Sequence, residues 1–186
     1  MSRVRRTPDG VAVELEAAEA SLVRTLMEQL IELLGETPGA GGELASVGIA
    51  EDAALPDDPV LARLFPDAYR DDGEAAGEFR RYTEIGLRDG KRDAANAVLS
   101  SLKAGAAHED AAPGGGDAEV LLTPDEAQAW LRAVNDLRLA LGTRLDIGEE
   151  WYEELDDLDP RDPRLPMFAA YDWLTMLQES LVRAVW

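Results

Sequence analysis

The stretch Glu16-Ala17-Ala18-Glu19-Ala20-Ser21-Leu22-Val23-Arg24-Thr25-Leu26-Met27-Glu28-Gln29-Leu30-Ile31-Glu32-Leu33-Leu34 decides the fold class. Leu22, Leu26 and Leu30 form one row at four-residue spacing, and Val23, Met27, Ile31 and Leu34 form the row beside it. Two adjacent rows make an apolar stripe wide enough to face a core. Glu16 and Glu19 stand in the first turn, where the helix dipole favours an anion, and Gly35 follows as a C′ residue. The spacing predicts an amphipathic helix over 16–34.

Upstream, Val4–Thr7 and Val11–Leu15 flank Pro8-Asp9-Gly10. Proline presets a turn and glycine takes the φ that a tight hairpin requires. Val11, Val13 and Leu15 alternate with Ala12 and Glu14, the period of a half-buried strand. A short β-hairpin is expected there, lying on helices because two strands alone are marginal.

Downstream, Thr37–Gly42 is a Pro/Gly break. Asp58-Pro59 opens a short helix with Leu61, Leu64 and Phe65 inward. Residues 74–87 read as a helix with Phe79, Tyr82 and Leu87 inward. A second helical stretch over 91–102 has Ala95, Val98, Leu99 and Leu102 inward, and periodicity leaves open whether the two are one helix. Residues 105–116 end in Pro113-Gly114-Gly115-Gly116 and read as a flexible linker. Without a preceding strand or a following Gly-Lys-Ser/Thr, that triglycine is a spacer and not a phosphate loop.

Thr123-Pro124-Asp125-Glu126 signals a capping box and Pro at the first helical position. Ala127, Trp130, Leu131, Val134, Leu137, Leu141 and Leu145 follow as a stripe. Residues 167–186 form the last helix, with Trp173 and Met176 off its main face, so burial on two sides is expected. The fold expected is all-α: a bundle of about five helices with a short N-terminal β-hairpin. Residues 1–186 make a single helical domain, and 36–54 and 104–119 are flexible loops.

Charge narrows the function. The chain has 38 Asp+Glu against 18 Lys+Arg, a net charge of −20, which argues against unaided binding to a nucleic acid polyanion. No run of apolar residues is long enough to span a membrane, and the N-terminus lacks the h-region of a signal peptide, so a cytoplasmic protein is expected. There is no Cys, which excludes disulfides, thiolate metal sites and thiol redox switching within these residues.

One segment breaks the acidity. Phe79–Lys103 carries six basic residues (Arg80, Arg81, Arg88, Lys91, Arg92, Lys103) against three acids. Arg81, Arg88 and Arg92 fall near one helix face. With Tyr82 beside two guanidinium groups, Arg80, Arg81, Arg88 and Arg92 form a candidate recognition element. The bland alternative is that these charges pair with the −9 stretch over 36–78. Arg3, Arg5 and Arg6 make a smaller basic spot, with Arg3 and Arg5 projecting together from the strand.

Catalytic and metal constellations are weak. An EF-hand loop begun at Asp157 fails, because Asp162 stands where Gly is required and Phe168 where Glu is required. The cluster over Glu149–Asp159 reads as a solvated acidic face. His108, the only histidine, lies in the expected linker and carries no triad or metal role. Asn135, Asp136 and Arg138 are a polar set within an apolar helix. They form a contact point or buried ion-pair network, or, as preferred, they occupy its wet side. No cofactor and no metal are expected.

The order of several segments resembles a known family. They are the Arg-Arg-Thr-Pro-Asp-Gly-Val-Ala-Val-Glu-Leu hairpin, the helix ending Leu33-Leu34-Gly35, and Asp58-Pro59-Val60-Leu61-Ala62-Arg63-Leu64-Phe65-Pro66-Asp67-Ala68-Tyr69. Glu78-Phe79-Arg80-Arg81-Tyr82-Thr83 and the run from Trp130 to Leu145 complete the set. Across nearly the whole chain this is similar to the actinobacterial family named for the oxidative stress regulator AosR, formerly a domain of unknown function. The resemblance implies a cytoplasmic transcriptional regulator. The named member is associated with redox sensing through cysteines, a stress sigma factor and control of cysteine biosynthesis. The absence of Cys here breaks that pattern at the sensing step, and the family pattern transfers no catalytic residue.

The reading is a regulator, not an enzyme, acting through protein contact with a sigma factor or polymerase component. Its acidic surface and exposed aromatics such as Trp151 would engage a basic partner, and Asp136 and Arg138 are further candidate contacts. The first alternative is a DNA-binding regulator using the basic helix and Arg3, Arg5 and Arg6. The second is an enzyme subunit with an unrecognised acidic pocket. Trp186 and the two-sided last helix are compatible with a homo-oligomer.

Overall fold

Thr123 and Pro124 start the helix around which the molecule is built. In this computed structural model, which describes residues 2–35, 49, 54–109, 118–156 and 158–186, the helix runs Pro124–Arg144. The expected capping box is present: Thr123 N donates to Glu126 Oε2 at 2.8 Å and Glu126 N donates to Thr123 Oγ1 at 3.3 Å. Its buried residues include the predicted Ala127, Trp130, Val134, Leu137 and Leu141, and also Ala129, Ala133, Asp136 and Ala140. Apolar periodicity had shown one face of this helix. The alanines give it a second, against which other helices pack.

In chain order the elements are β1 (Arg3–Thr7), β2 (Gly10–Leu15), α1 (Ala17–Leu34), α2 (Pro59–Leu64), α3 (Gly73–Glu109), β3 (Ala118–Leu122), α4 (Pro124–Arg144), α5 (Trp151–Asp156) and α6 (Leu165–Val185). The all-α expectation is corrected: among the described residues six helices accompany a three-stranded antiparallel sheet of order β1-β2-β3. The hairpin and α1 stand where the sequence placed them. Glu16 and Glu19 cap α1, and Gly35, at φ 56°, ends it. Asp58 accepts at the start of α2 from Val60 N, at 2.7 Å, and from Leu61 N.

One open point is settled and one expected loop shortens at both ends. Residues 74–102 lie in one helix, α3, whose 37 residues span roughly 55 Å at 1.5 Å rise per residue. The loop expected over 104–119 is helix to Glu109 and strand from Ala118. The rest of it, and most of 36–54, lies outside the described residues. In β3, Val120 and Leu122 are buried and Glu119 and Leu121 exposed.

The inner face of the sheet (Val11, Val13, Leu15, Val120, Leu122) joins Val23, Met27, Leu30 and Leu34 of α1 and Leu174, Leu177 and Leu181 of α6 in one core. Val98 and Leu102 of α3 and Trp130 of α4 complete it. The Trp130 indole, fully buried, satisfies its N–H on Ser101 Oγ at 2.8 Å. On α6, Trp173 is half-buried and donates to Glu19 Oε1 at 2.9 Å, whereas Met176 is exposed. The two-sided burial expected of that helix therefore holds for Trp173 alone of the pair. No helix among the described residues is long and apolar enough to cross a membrane.

Gly10 is where the hairpin turn passes under β3. Its φ is +151°, and a Cβ there would lie 2.0 Å from Leu122 O. Neither the clash with backbone nor the conformation can be relieved by a rotamer change. Gly10→Ala should therefore lower stability by about 2 kcal/mol or more, read as a fall in the urea midpoint at unchanged m-value.

Candidate functional site

The basic run of α3 turns inward. In the first half of the helix the row facing the body is Ala76, Arg80, Glu84 and Arg88, at four-residue spacing. Arg80, Glu84 and Arg88 are 5%, 5% and 3% exposed. Glu84 lies between the two guanidinium groups. Its Oε1 accepts from Arg88 Nε at 2.9 Å and Nη2 at 2.8 Å, and its Oε2 accepts from Arg80 Nη1 at 3.5 Å.

The other donors go to helix ends. Arg88 Nη1 donates to Leu34 O, at the end of α1, at 2.6 Å. Arg80 Nη2 donates to Phe65 O, at the end of α2, at 3.1 Å, and to Asp67 Oδ1 at 2.7 Å. Arg92 donates to Gly35 O and pairs with Asp89. A helix C-terminus presents unpaired carbonyls and the negative end of the dipole, so a cation belongs there. The last turn of α1 has no basic residue of its own, and α3 supplies two, Arg88 and Arg92. The Phe65 ring adds a face to the same cations, 4.7 Å from Arg88 Cζ and 5.7 Å from Lys91 Nζ.

The expected exposed basic surface is therefore corrected at Arg80 and Arg88. The bland alternative, pairing with the acidic stretch, holds for Arg80 with Asp67, while the main counter-charge is Glu84 on the same helix. Arg81 is half-buried and also engaged. Phe79, Tyr82 and Leu87, expected inward, point out at 46%, 58% and 50% exposure. Tyr69 meets Phe79 edge to face with ring centroids 6.2 Å apart.

Beside Leu87 an open groove of about 560 Å³ separates α3 from α4. Gly86, Leu87, Gly90 and Ala94 form one wall, and Ala129, Arg132 and Asn135 the other. At its base Lys91 Nζ donates to Asp136 Oδ1 at 2.7 Å. Asp136 is buried, which corrects the preferred placement on a wet side and fits the ion-pair alternative. Burial raises its carboxyl above the ordinary aspartate range, against the opposing hydrogen bond and charge of Lys91.

Arg138 lies elsewhere, on the seam with α6. Its Nε donates to Thr175 Oγ1 at 3.0 Å and its Nη1 to Gln178 Oε1 at 2.5 Å, and its guanidinium carbon sits 5.5 Å from the centre of the Tyr171 ring. Trp151, expected as an exposed aromatic, is 8% exposed. It stacks on Phe168 at 6.0 Å and meets Tyr171 edge-on at 5.4 Å, in a small second core with Leu145. Arg3 and Arg5 do project together, but they face Glu14, and Arg5 also pairs with Glu119. Arg6 Nη2 donates to Val185 O at 3.1 Å. The sequence reading missed Glu84, Lys91 as the partner of Asp136, and the groove. The four-residue spacing of Arg80, Glu84 and Arg88 was the available signal for the first.

Arg88→Met leaves Glu84 buried beside a single weakly held cation and frees Leu34 O. It should lower stability by about 3–5 kcal/mol in urea denaturation, against about 0.5 kcal/mol or less for Lys103→Met at an exposed position. For Asp136, a folded pKa above 3.8 means that the folded state takes up its proton first as pH falls. The stability contributed by this group therefore rises on acidification through that pKa and levels off below 3.8. Asp136→Asn should abolish that rise, so wild type gains on the variant between about pH 7 and about pH 4, read from paired urea midpoints.

Comparison with known proteins gives the family. The model of a domain of unknown function, DUF2017, matches residues 1–185. The oxidative stress regulator AosR of Mycobacterium tuberculosis (strain ATCC 25618 / H37Rv) is 37% identical over 181 residues, covering 88% of this chain and 77% of that protein. The same figures hold for its namesake in Mycobacterium bovis. A putative oxidative stress regulator AosR of Mycobacterium leprae is 35% identical over 184 residues, covering 90% of this chain and 78% of that protein. No solved structure matches. The chain belongs to the DUF2017 family, whose similar members include the oxidative stress regulators AosR.

Proposed function

We propose that this protein is a transcriptional regulator of the oxidative stress response that works by contact with another protein, a sigma factor or a polymerase component. The family carries the stress-regulatory part of this reading. One observation carries the mode of action: α3 buries Arg80 and Arg88 and leaves Phe79, Tyr82 and Leu87 outside, on a chain of net charge −20. An acidic exterior with exposed aromatic and aliphatic side chains suits a basic protein partner, where charge speeds encounter and apolar anchors set lifetime.

The direct DNA-binding alternative is weakened. Arg80 and Arg88 are inside, and Arg3, Arg5 and Arg6 face Glu14, Glu119 and Val185 O. The enzyme alternative would look to Asp136, the carboxylate at the base of the groove, but Lys91 already occupies one of its oxygens. A structural ion pair accounts for both groups. The 186 residues hold no Cys, so within them a redox signal would need a route other than thiols.

Deleting the gene should change peroxide- or diamide-induced transcription of stress genes several-fold, with restoration by the wild-type chain, measured by RNA sequencing. The purified chain alone should bind promoter duplexes no tighter than the non-specific range, about 1–100 μM near physiological salt, in fluorescence anisotropy. Nanomolar, sequence-selective binding by the chain alone would replace this reading with the DNA-binding one.

A further inference from the structure

We infer that the outward stripe of α3, with the groove beside it, is a docking site for a cationic amphipathic helix of a partner protein. The inference rests on the regulatory reading above and names the surface that reading would use.

Single exposed apolar side chains are ordinary, but here Phe79, Tyr82 and Leu87 stand exposed within about two and a half turns of one helix. At about 100° per residue, Phe79, Tyr82, Gly86 and Gly90 fall within about 80° of one another along α3. Leu87 stands next to them at the lip of the groove. Tyr69 extends the patch from Phe79. The groove then gives the patch depth, with Ala94 and Ala129 continuing its apolar lining. An exposed apolar ridge beside an open groove is the geometry that receives one face of a helix.

The two glycines fit the same occupant. Each weakens a helix interior by about 1 kcal/mol relative to Ala. A Cβ at Gly86 or at Gly90 would meet nothing within 4 Å, so the fold itself has no packing reason for either. A bare stretch of backbone on an outer face admits close approach from outside.

Charge selects the partner. Glu78, Asp89 and Asp93 are exposed and fall within about 60° of one another, Glu78 and Asp89 along one flank of the stripe and Asp93 in line with it just past Gly90. Asp71, Asp72 and Glu74, also exposed, continue the acid at the start of the helix. Of the nearby cations, Arg80 and Arg88 lie underneath, Asp136 holds Lys91, Arg81 is half-buried and engaged, and Arg92, which also donates to Gly35 O, already pairs with Asp89; exposed Arg70 at the start of the helix faces the excess of Asp71, Asp72 and Glu74. Arg132, on the opposite wall, is exposed and makes no ion pair among the described residues. It suits the carbonyl end of an incoming helix. A second copy of this chain would bring its own acidic flank and a further −20 against the first, so the charge favours a basic partner over self-association.

The test uses the full chain and a fluorescein-labelled Leu/Ala/Lys peptide about 18 residues long, with Leu at i, i+3, i+4 and i+7. A scrambled peptide of the same composition and a Glu-for-Lys version are the comparisons. Saturable binding is expected for the Leu/Lys peptide, weakening with salt. Backbone amide shifts on titration should be confined to α3 near Leu87 and to the facing turn of α4. Leu87→Gln, Gly90→Leu and Asp93→Lys should each weaken binding roughly tenfold, while Leu121→Gln, at an exposed position on β3, should not. Circular dichroism and urea midpoints confirm that each variant is folded.

The inference is overturned if the scrambled peptide binds as tightly or if Leu87→Gln and Gly90→Leu bind as wild type does. Light scattering that shows a dimer dispersed by Gly90→Leu also overturns it, in favour of a second copy as the occupant. The two readings fail separately. Peptide binding at this surface with stress transcription indifferent to the gene removes the regulatory reading. Stress transcription that needs the gene but tolerates both variants removes the docking surface.

Discussion

The carboxylate of Glu84, held between Arg80 and Arg88 beneath α3, ties the ends of α1 and α2 to the longest helix. Three charges at this depth would be an expensive arrangement if they had only one another, because desolvation offsets most of the attraction in a buried pair. Here the two arginines have further partners. Leu34 O and Phe65 O take guanidinium donors, Asp67 takes another, and the Phe65 ring covers a cationic face. Arg80 Nε alone is left buried without a partner among the described residues. The cluster works because two helix C-termini converge on it, and each needs positive charge more than it needs apolar cover.

That arrangement sets the character of the outside. A 20.2 kDa body with twice as many acids as bases keeps several of its cations within or against its own structure. The sheet repeats the theme in exposed form, with Arg3 and Arg5 beside Glu14 and Glu119. The remaining surface is more acidic than the sequence around α3 suggests.

The helices with ordinary amphipathic faces were legible. The two leucine rows of α1, the Thr123–Glu126 capping box and the Asp58-Pro59 start each rest on short-range rules that tertiary context left intact. Residues 79–88 were misread for a physical reason. Periodicity assigns the apolar face to the interior, but the interior here is where carbonyls end, so Arg80, Glu84 and Arg88 went in and Phe79, Tyr82 and Leu87 went out. The same rule hid Asp136, whose partner Lys91 lies 45 residues earlier. Trp151 was placed outside because acids surround it in sequence, yet Phe168 and Tyr171 of α6 close over it. Strand β3 carried a correct alternation at Val120 and Leu122, masked by the glycine run before it. Its pairing with β2 is a long-range fact that no local pattern encodes.

That pairing has a temporal side. β2 joins β3 through partners 103 to 111 residues apart, Leu15 with Ala118 and Val11 with Leu122. On the ribosome, at about 5–20 residues per second, the hairpin therefore waits roughly 5–20 s with one edge bare. During that interval its valines have only α1 to shelter them. The passage of Leu122 through the exit tunnel marks the moment when the sheet can close.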